Sequence, residues 1–336
     1  MSKKNVSGIN KMESKKIKRT TGLIWLSFAF VVLMTTGCGQ NETEGEVGTE
    51  RSIFKAQAYE QKLMTIYESR LAEWPYPYES LFLDTSYGTV HVIASGPKDA
   101  PPVLLFHASE LAAWSWLPNI GVLNEHYRTY AVDHIGEAGK SVLKDTDVFP
   151  KDGKSIADLY LQISDKLGVQ KVDLIGASNG GYIALNYSVY APERVKKIVL
   201  LCPMGISPPR AVMGIKMVMA QLFPKERRLD RVRLWALGED PAVQEMSGQW
   251  FYTMMEGVIP RVALPKAVDP EHLRQIRAPV LLFLGTKDNV VGSHKKAERR
   301  ANNIPDIRVE VLDTGHVPGI EKPAVVNPRI LEFLRS

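Results

Sequence analysis

"KVDLIGASNGG", residues 171–181, runs from an aliphatic stretch directly into a serine set among glycines. Val172, Leu174 and Ile175 read as a strand, and "SNGGYIALNYSVYAP" (178–192) reads as a helix. The chain must therefore reverse from strand to helix within a few residues, through Gly176, Ser178, Gly180 and Gly181. One reading is a glycine-rich connection in which the serine caps the helix. The other is G-x-S-x-G, a sharp turn that exposes a nucleophilic serine oxygen at the C-terminal edge of a sheet. Its glycines are there because side chains would collide with the packed strand and helix.

A serine hydroxyl is a poor nucleophile until a base takes its proton, and the base needs an acid to orient it. Downstream of Ser178, Asp288 follows an aliphatic strand in "LLFLGTKDNVV" (281–291), and His316 follows the next in "VEVLDTGHVPGIEKP" (309–323). Each has an ordinary reading, Asp288 as a turn or cap residue and His316 as a surface histidine. His272 and His294 lie in polar, helix-like surroundings, Asp313 sits where a turn acid would, and "LLCPMG" (200–205) carries no acid. Three such residues at three strand ends favour a catalytic set over coincidence. A tetrahedral oxyanion also needs backbone donors. The expected ones are the N–H of Asn179, next after the serine, and the N–H of Ser109 in "FHASEL" (106–111).

The surrounding chain alternates. A helix-like stretch from about Ile53 to Glu73 precedes a hairpin of "SLFLDT" (80–85) and "GTVHVIAS" (88–95). The continuous apolar run "PPVLLFH" (101–107) suits a strand buried on both faces, and "KKIVLLCP" (196–203) and "APVLLFLG" (278–285) read as later strands. "RTYAVDH" (128–134) and "IRVEVLD" (307–313) are further strands. Helical stretches at 155–168, 293–304 and 327–336 separate them. This predicts an α/β fold with a mainly parallel central sheet and helices on both faces. Between two of the strands, from Met204 to about Arg277, lies a stretch with Met213, Met217, Met219, Met246, Met254, Met255, Trp235, Trp250, Phe251 and Tyr252 at helical spacings. It reads as extra helical core or, from its place of insertion, as a lid over an apolar pocket.

The formal charge of +5 is unevenly held. Residues 1–37 carry seven basic residues and one acid, so without them the charge becomes −1, and no nucleic-acid partner is indicated. A cationic start, the twelve-residue apolar run "LIWLSFAFVVLM" (23–34) and "TTGC" (35–38) have the anatomy of an export signal. The run is short of the roughly twenty residues that a membrane-spanning helix needs. "MTTGC" resembles a bacterial lipoprotein signal in which Cys38 becomes the lipidated first residue, although Thr35 stands where such signals usually carry Leu. Ordinary secretion and an uncleaved anchor are the alternatives. The expected organisation is a signal peptide over 1–37, a flexible acidic tether over 38–52 and one catalytic domain over 53–336, held by lipid on the extracytoplasmic face of a bacterial membrane. Cys202 is then the sole remaining cysteine, no intrachain disulfide is possible, and it reads as a small core residue. His107, Asp133 and His134 lack the clustered spacing of a metal site, and no dinucleotide fingerprint follows a strand. No metal or cofactor is expected.

From about residue 75 to the end the chain resembles α/β-hydrolase fold proteins of the carboxylesterase type. "HAS" (107–109), "DHIGEAGKS" (133–141), "GASNGG" (176–181), "GTKDNVV" (285–291) and "GHVPGIEKP" (315–323) carry the resemblance. It implies Ser178 as nucleophile, His316 as base and then acid, Asp288 as its orienter, and a small-molecule ester as substrate. Ala108 departs from the usual glycine, and "DHIGEAGKS" is one residue longer than the common form of its turn. Other hydrolyses on the same scaffold (of amide, peptide or C–C bonds, or perhydrolysis) and a non-catalytic surface binding protein are the rival readings.

Overall fold

The computed structural model describes residues 52–336. The expected signal peptide, Cys38 and nearly all of the tether lie outside the described residues. Among those described, no helix is long and apolar enough to cross a membrane.

In chain order the elements are α1 (Gln57–Leu71), β1 (Tyr78–Thr85), β2 (Gly88–Ser95), β3 (Pro102–Phe106), a 3₁₀ turn (Ala113–Trp116), α2 (Leu117–Asn124), β4 (Arg128–Val132), β5 (Val142–Leu143), α3 (Gly153–Lys166), β6 (Val172–Ala177), α4 (Asn179–Tyr190) and β7 (Val195–Leu201). Then come α5 (Ala211–Leu222), α6 (Glu226–Leu237), α7 (Pro241–Gly257), α8 (Pro270–Arg274), β8 (Val280–Gly285), α9 (His294–Ala301), β9 (Ile307–Leu312), α10 (Pro318–Glu321) and α11 (Pro323–Arg335). The sheet order is β1-β2-β4-β3-β6-β7-β8-β9, with β5 paired to β2. β1, β2 and β5 pair antiparallel, as does β2 with β4, and every pairing from β4 through β9 is parallel.

The continuous apolar strands are explained by two cores, one on each face. Val103, Leu105, Ile175, Val199, Leu281 and Phe283 pack on one side with Leu63 and Tyr67 of α1 and Phe333 of α11. Leu104, Phe106, Leu174, Ile198, Leu200 and Leu282 pack on the other with Ile156 and Ile163 of α3 and Leu185 of α4. Alternate residues of one strand thus serve opposite cores, and each such aliphatic side chain, fully buried, is worth about 1.5–3 kcal/mol in transfer from water.

One local expectation is corrected. Residues 53–56 do not begin a helix. Phe54 bridges Val258 in extended form, Lys55 N–H donates to the Gly257 carbonyl (2.8 Å), and Ile259 N–H donates to that of Ile53 (2.8 Å). The backbone at the end of α7 supplies a strand partner, and this outweighs continuation of the 3.6-residue pattern. Much of the Met204–Arg277 stretch is helical, as its spacing implies, and forms α5 to α8 between β7 and β8, with residues 258–269 running between α7 and α8 without helix.

Candidate active site

Ser178 sits in the one-residue break between β6 and α4 with φ +51° and ψ −113°. A non-glycine residue reaches such a conformation only at a cost of order 1–3 kcal/mol, which the packing around it must hold in place. The neighbouring glycines make the turn possible. A Cβ on Gly176 would strike the Gly180 carbonyl, and one on Gly180 would strike the carbonyl of Phe106. The Ser178 side chain makes no helix-capping hydrogen bond. Its Oγ instead lies 2.7 Å from His316 Nε2. The side chain thus faces the histidine and does not cap the helix.

His316 Nδ1 lies 2.8 Å from Asp288 Oδ2. The other carboxylate oxygen accepts the N–H groups of Val290 (2.8 Å) and Val291 (3.1 Å), which fixes the acid in the loop after β8. Burial opposes ionisation of Asp288. The adjacent His316, its hydrogen bond and the two amides outweigh that, and the carboxyl lies below its ordinary value. All three side chains are buried, Ser178 to 3% exposure. The other candidates lie elsewhere: Asp313 pairs with Lys287 at the surface, His272 lies against Tyr190 (6.0 Å between rings), and His294 opens α9.

The Gly180 N–H donates to the His107 carbonyl (3.1 Å) and ties the "HAS" loop to the start of α4. Among the described residues the N–H groups of Ser109 and Asn179 have no acceptor. Both are therefore available to a ligand. Ala108 lies in the wall of an apolar cavity with Leu111, Trp116, Ala177, Leu201 and Val317, against the immediate neighbours of Ser178 and His316.

Two residues near the site were not legible in sequence. Glu137, buried in the "DHIGEAGKS" loop, accepts the Ser109 hydroxyl (3.2 Å), the Glu110 N–H (3.2 Å) and the Asn179 side-chain amide (3.2 Å). It joins Ser109 and Asn179 through their side chains. Burial raises its carboxyl, and burial together with the like charge of Glu137 pushes the Glu110 carboxyl up to about 8. Glu110 also has φ +66°, and its carbonyl accepts the indole N–H of Trp250 from α7 (3.0 Å). The hint in the sequence was an acid set among small residues in "GEAG" (136–139). Cys202 is the second. It is buried as expected but lies against the site: its sulfur, Asp288 and His316 place ligand atoms within 4.8 Å of one another. Burial and the charge of Asp288 hold its thiol well above the usual value, so it stays protonated and is a poor nucleophile.

His107, Asp133 and His134 are engaged structurally. Asp133 accepts from Tyr67 (2.9 Å), the Ala113 N–H (2.8 Å) and the Lys140 N–H (3.1 Å), and lies 2.8 Å from His91 Nδ1. His107 stacks on His134 at 3.8 Å between rings, and His134 Nδ1 pairs with the Tyr160 hydroxyl at 2.6 Å.

A mainly parallel sheet with a serine elbow after β6 and an acid and a histidine after β8 and β9 is the architecture of an α/β-hydrolase. The chain belongs to the α/β-hydrolase fold family, whose pattern matches residues 101–237. It is 31% identical over 278 residues to the uncharacterized carboxylesterase nap of Bacillus subtilis, a match covering 80% of this chain and 91% of the relative. It is 30% identical to the carboxylesterase YbfK of the same organism, over 80% of this chain and 92% of that one. Among solved structures it resembles naproxen esterase (carboxylesterase NP) of Bacillus subtilis, with TM-score 0.75 and 31% identity over 82% of this chain and 97% of the other.

Proposed function

We propose that the chain is a serine carboxylesterase that works through an acyl-enzyme on Ser178. The observation that carries this is the unbroken, buried hydrogen-bonded series from Ser178 Oγ through both nitrogens of His316 to Asp288. Ser178 Oγ attacks the ester carbonyl while His316 Nε2 takes its proton, and Asp288 steadies the imidazolium so formed. The carbonyl oxygen, now an anion, is held by the N–H groups of Asn179 and Ser109. His316 returns the proton to the departing alcohol. A water then repeats the sequence on the acyl-enzyme, releasing the acid and restoring Ser178.

The cavity walled by Ala108, Leu111, Trp116 and Val317 accepts the apolar acyl or alcohol part. The α5–α8 insertion acts as a lid, with Trp250 latching α7 to the oxyanion loop at Glu110. Lipid on Cys38 holds the enzyme at the extracytoplasmic membrane face, supported by the signal-like residues 1–38. The test of the activity is a panel of p-nitrophenyl esters from acetate to octanoate beside matched p-nitroanilides. Esters are expected to turn over at least about 100-fold faster than anilides, with an optimum above acetate. Anilide hydrolysis as fast as ester hydrolysis would replace this reading with an amidase.

Glu137 positions the donors in this scheme. Glu137→Ala is expected to lower kcat about 10- to 100-fold with little change in KM, since displaced oxyanion donors act on the transition state rather than on ground-state binding. Glu137→Gln keeps one acceptor oxygen and is expected to recover part of the loss. A lower melting temperature with kcat unchanged per active site would show that Glu137 only supports the fold.

A further inference from the structure

Helix α5 is the outermost part of the insertion in its surface character. Of its twelve residues only Ala220 is buried. Ile215 (62% exposed), Met219 (42%), Leu222 (55%) and Phe223 (51%), the last just past the helix, stand at i, i+4, i+7 and i+8. That spacing puts four large apolar side chains on one face, turned to water. An isolated exposed leucine needs no explanation, but a contiguous stripe of this kind does.

The charges around the stripe are one-sided. From Arg210 to Arg231 the chain carries six basic residues against two acids. Lys225 and Arg227 are exposed beside the stripe, and the Arg228 guanidinium lies over the Phe223 ring at 5.4 Å while donating to the Phe223 carbonyl at 2.8 Å. Of the two acids, Asp230 is taken by Arg233 and Tyr252, leaving Glu226. An apolar stripe with a cationic border suits the headgroup layer of an anionic bilayer. A second copy of the chain would bring the same cationic border against itself.

The way the chain enters the domain agrees. Ile53 and Lys55 are hydrogen-bonded to Ile259 and Gly257 at the end of α7, so any segment preceding them joins the domain at the insertion. Thirteen residues separate Cys38 from Ser52. Even fully extended, a stretch of that length reaches at most about 50 Å, so a lipid on Cys38 would keep the insertion within that distance of the membrane.

We propose that Ile215, Met219, Leu222 and Phe223, bordered by Lys225, Arg227 and Arg228, form a docking face for an anionic lipid surface. The face lies on the lid of the proposed esterase, so esters dissolved in the bilayer would meet the enzyme at its entrance. That consequence rests on the esterase reading, but the docking itself does not.

The test uses residues 50–336, a compact unit that contains both cores and lacks Cys38. Its co-sedimentation with vesicles of phosphatidylcholine containing 30% phosphatidylglycerol is compared with that of pure phosphatidylcholine vesicles. The expected result is at least about ten-fold stronger partition to the anionic vesicles. It should fall about ten-fold when Ile215, Met219, Leu222 and Phe223 are all changed to serine, and also in Lys225→Glu/Arg227→Glu, with thermal unfolding of both variants close to the parent's. Equal partition of parent and serine variant overturns the proposal. So does a parent that is dimeric by light scattering and becomes monomeric in the serine variant while vesicle binding is unchanged, since the stripe would then be covered by a second copy. The readout is binding, so an inactive esterase would leave this comparison intact.

Discussion

Alanine in place of Ser178 is expected to lower kcat on a p-nitrophenyl ester by about 10⁶, and His316→Ala by about as much. The reason is geometric. Among the described residues His316 is the one base hydrogen-bonded to Ser178 Oγ, at 2.7 Å, and without it the hydroxyl keeps its proton at the moment of attack. The two losses are not independent, because each removes the same nucleophile–base unit. The double variant is therefore expected to be no worse than either single one, with residual activity from the oxyanion donors and substrate binding. Parallel kinetics of the two single variants and the double variant test this. Additive losses would mean that His316 acts on something other than Ser178.

Asp288→Asn is expected to cost about 10⁴ in kcat with the fold intact. In the parent, Asp288 Oδ1 is committed to the Val290 and Val291 amides and Oδ2 to His316 Nδ1. An asparagine would keep its oxygen on those two amides and turn its NH₂ toward His316. That arrangement leaves the hydrogen on Nε2, so the ring can no longer accept the serine proton. The variant also has a thermodynamic signature. The folded-state value of Asp288 lies below its ordinary one, so its contribution to stability is complete above the unfolded value and is lost as pH falls through the folded value. The melting temperature of the parent should therefore fall more steeply below about pH 4 than that of Asp288→Asn. Full activity of the variant at neutral pH would remove Asp288 from the mechanism.

What the sequence disclosed follows from where its signals are local. Strands buried on both faces must be apolar at nearly every position, so β3 and β8 stand out as unbroken runs, while β6 is interrupted by Asp173 and β7 becomes apolar throughout only from Ile198. Ser178 follows β6, Asp288 follows β8 and His316 follows the alternating strand β9, and chain order alone suggested that they meet, as their side chains do in the structure. The serine turn declared itself because Gly176 and Gly180 leave no room for a Cβ.

Other features depend on contacts between distant segments. The place of β4 between β2 and β3 is set by the parallel pairing of Leu104 with Tyr130, which neither strand encodes by itself. The 3₁₀ turn and α2, over Ala113–Asn124, were not anticipated. Trp114, Trp116 and Ile120 point into the core from a stretch too short and too evenly apolar to show a period. Glu137 acquires its place only when the loops of Ser109 and Asn179 meet around it, and Cys202 lies beside Asp288 only because β7 and β8 are neighbours.

The central claim is that Ser178 is an activated nucleophile. Residues 50–336 should be treated with a fluorophosphonate, weighed intact and mapped by peptide. One adduct per chain, on Ser178 and lost in His316→Ala, is the predicted result. A folded chain that stays unlabelled after prolonged exposure, or one labelled equally well in His316→Ala, would contradict it.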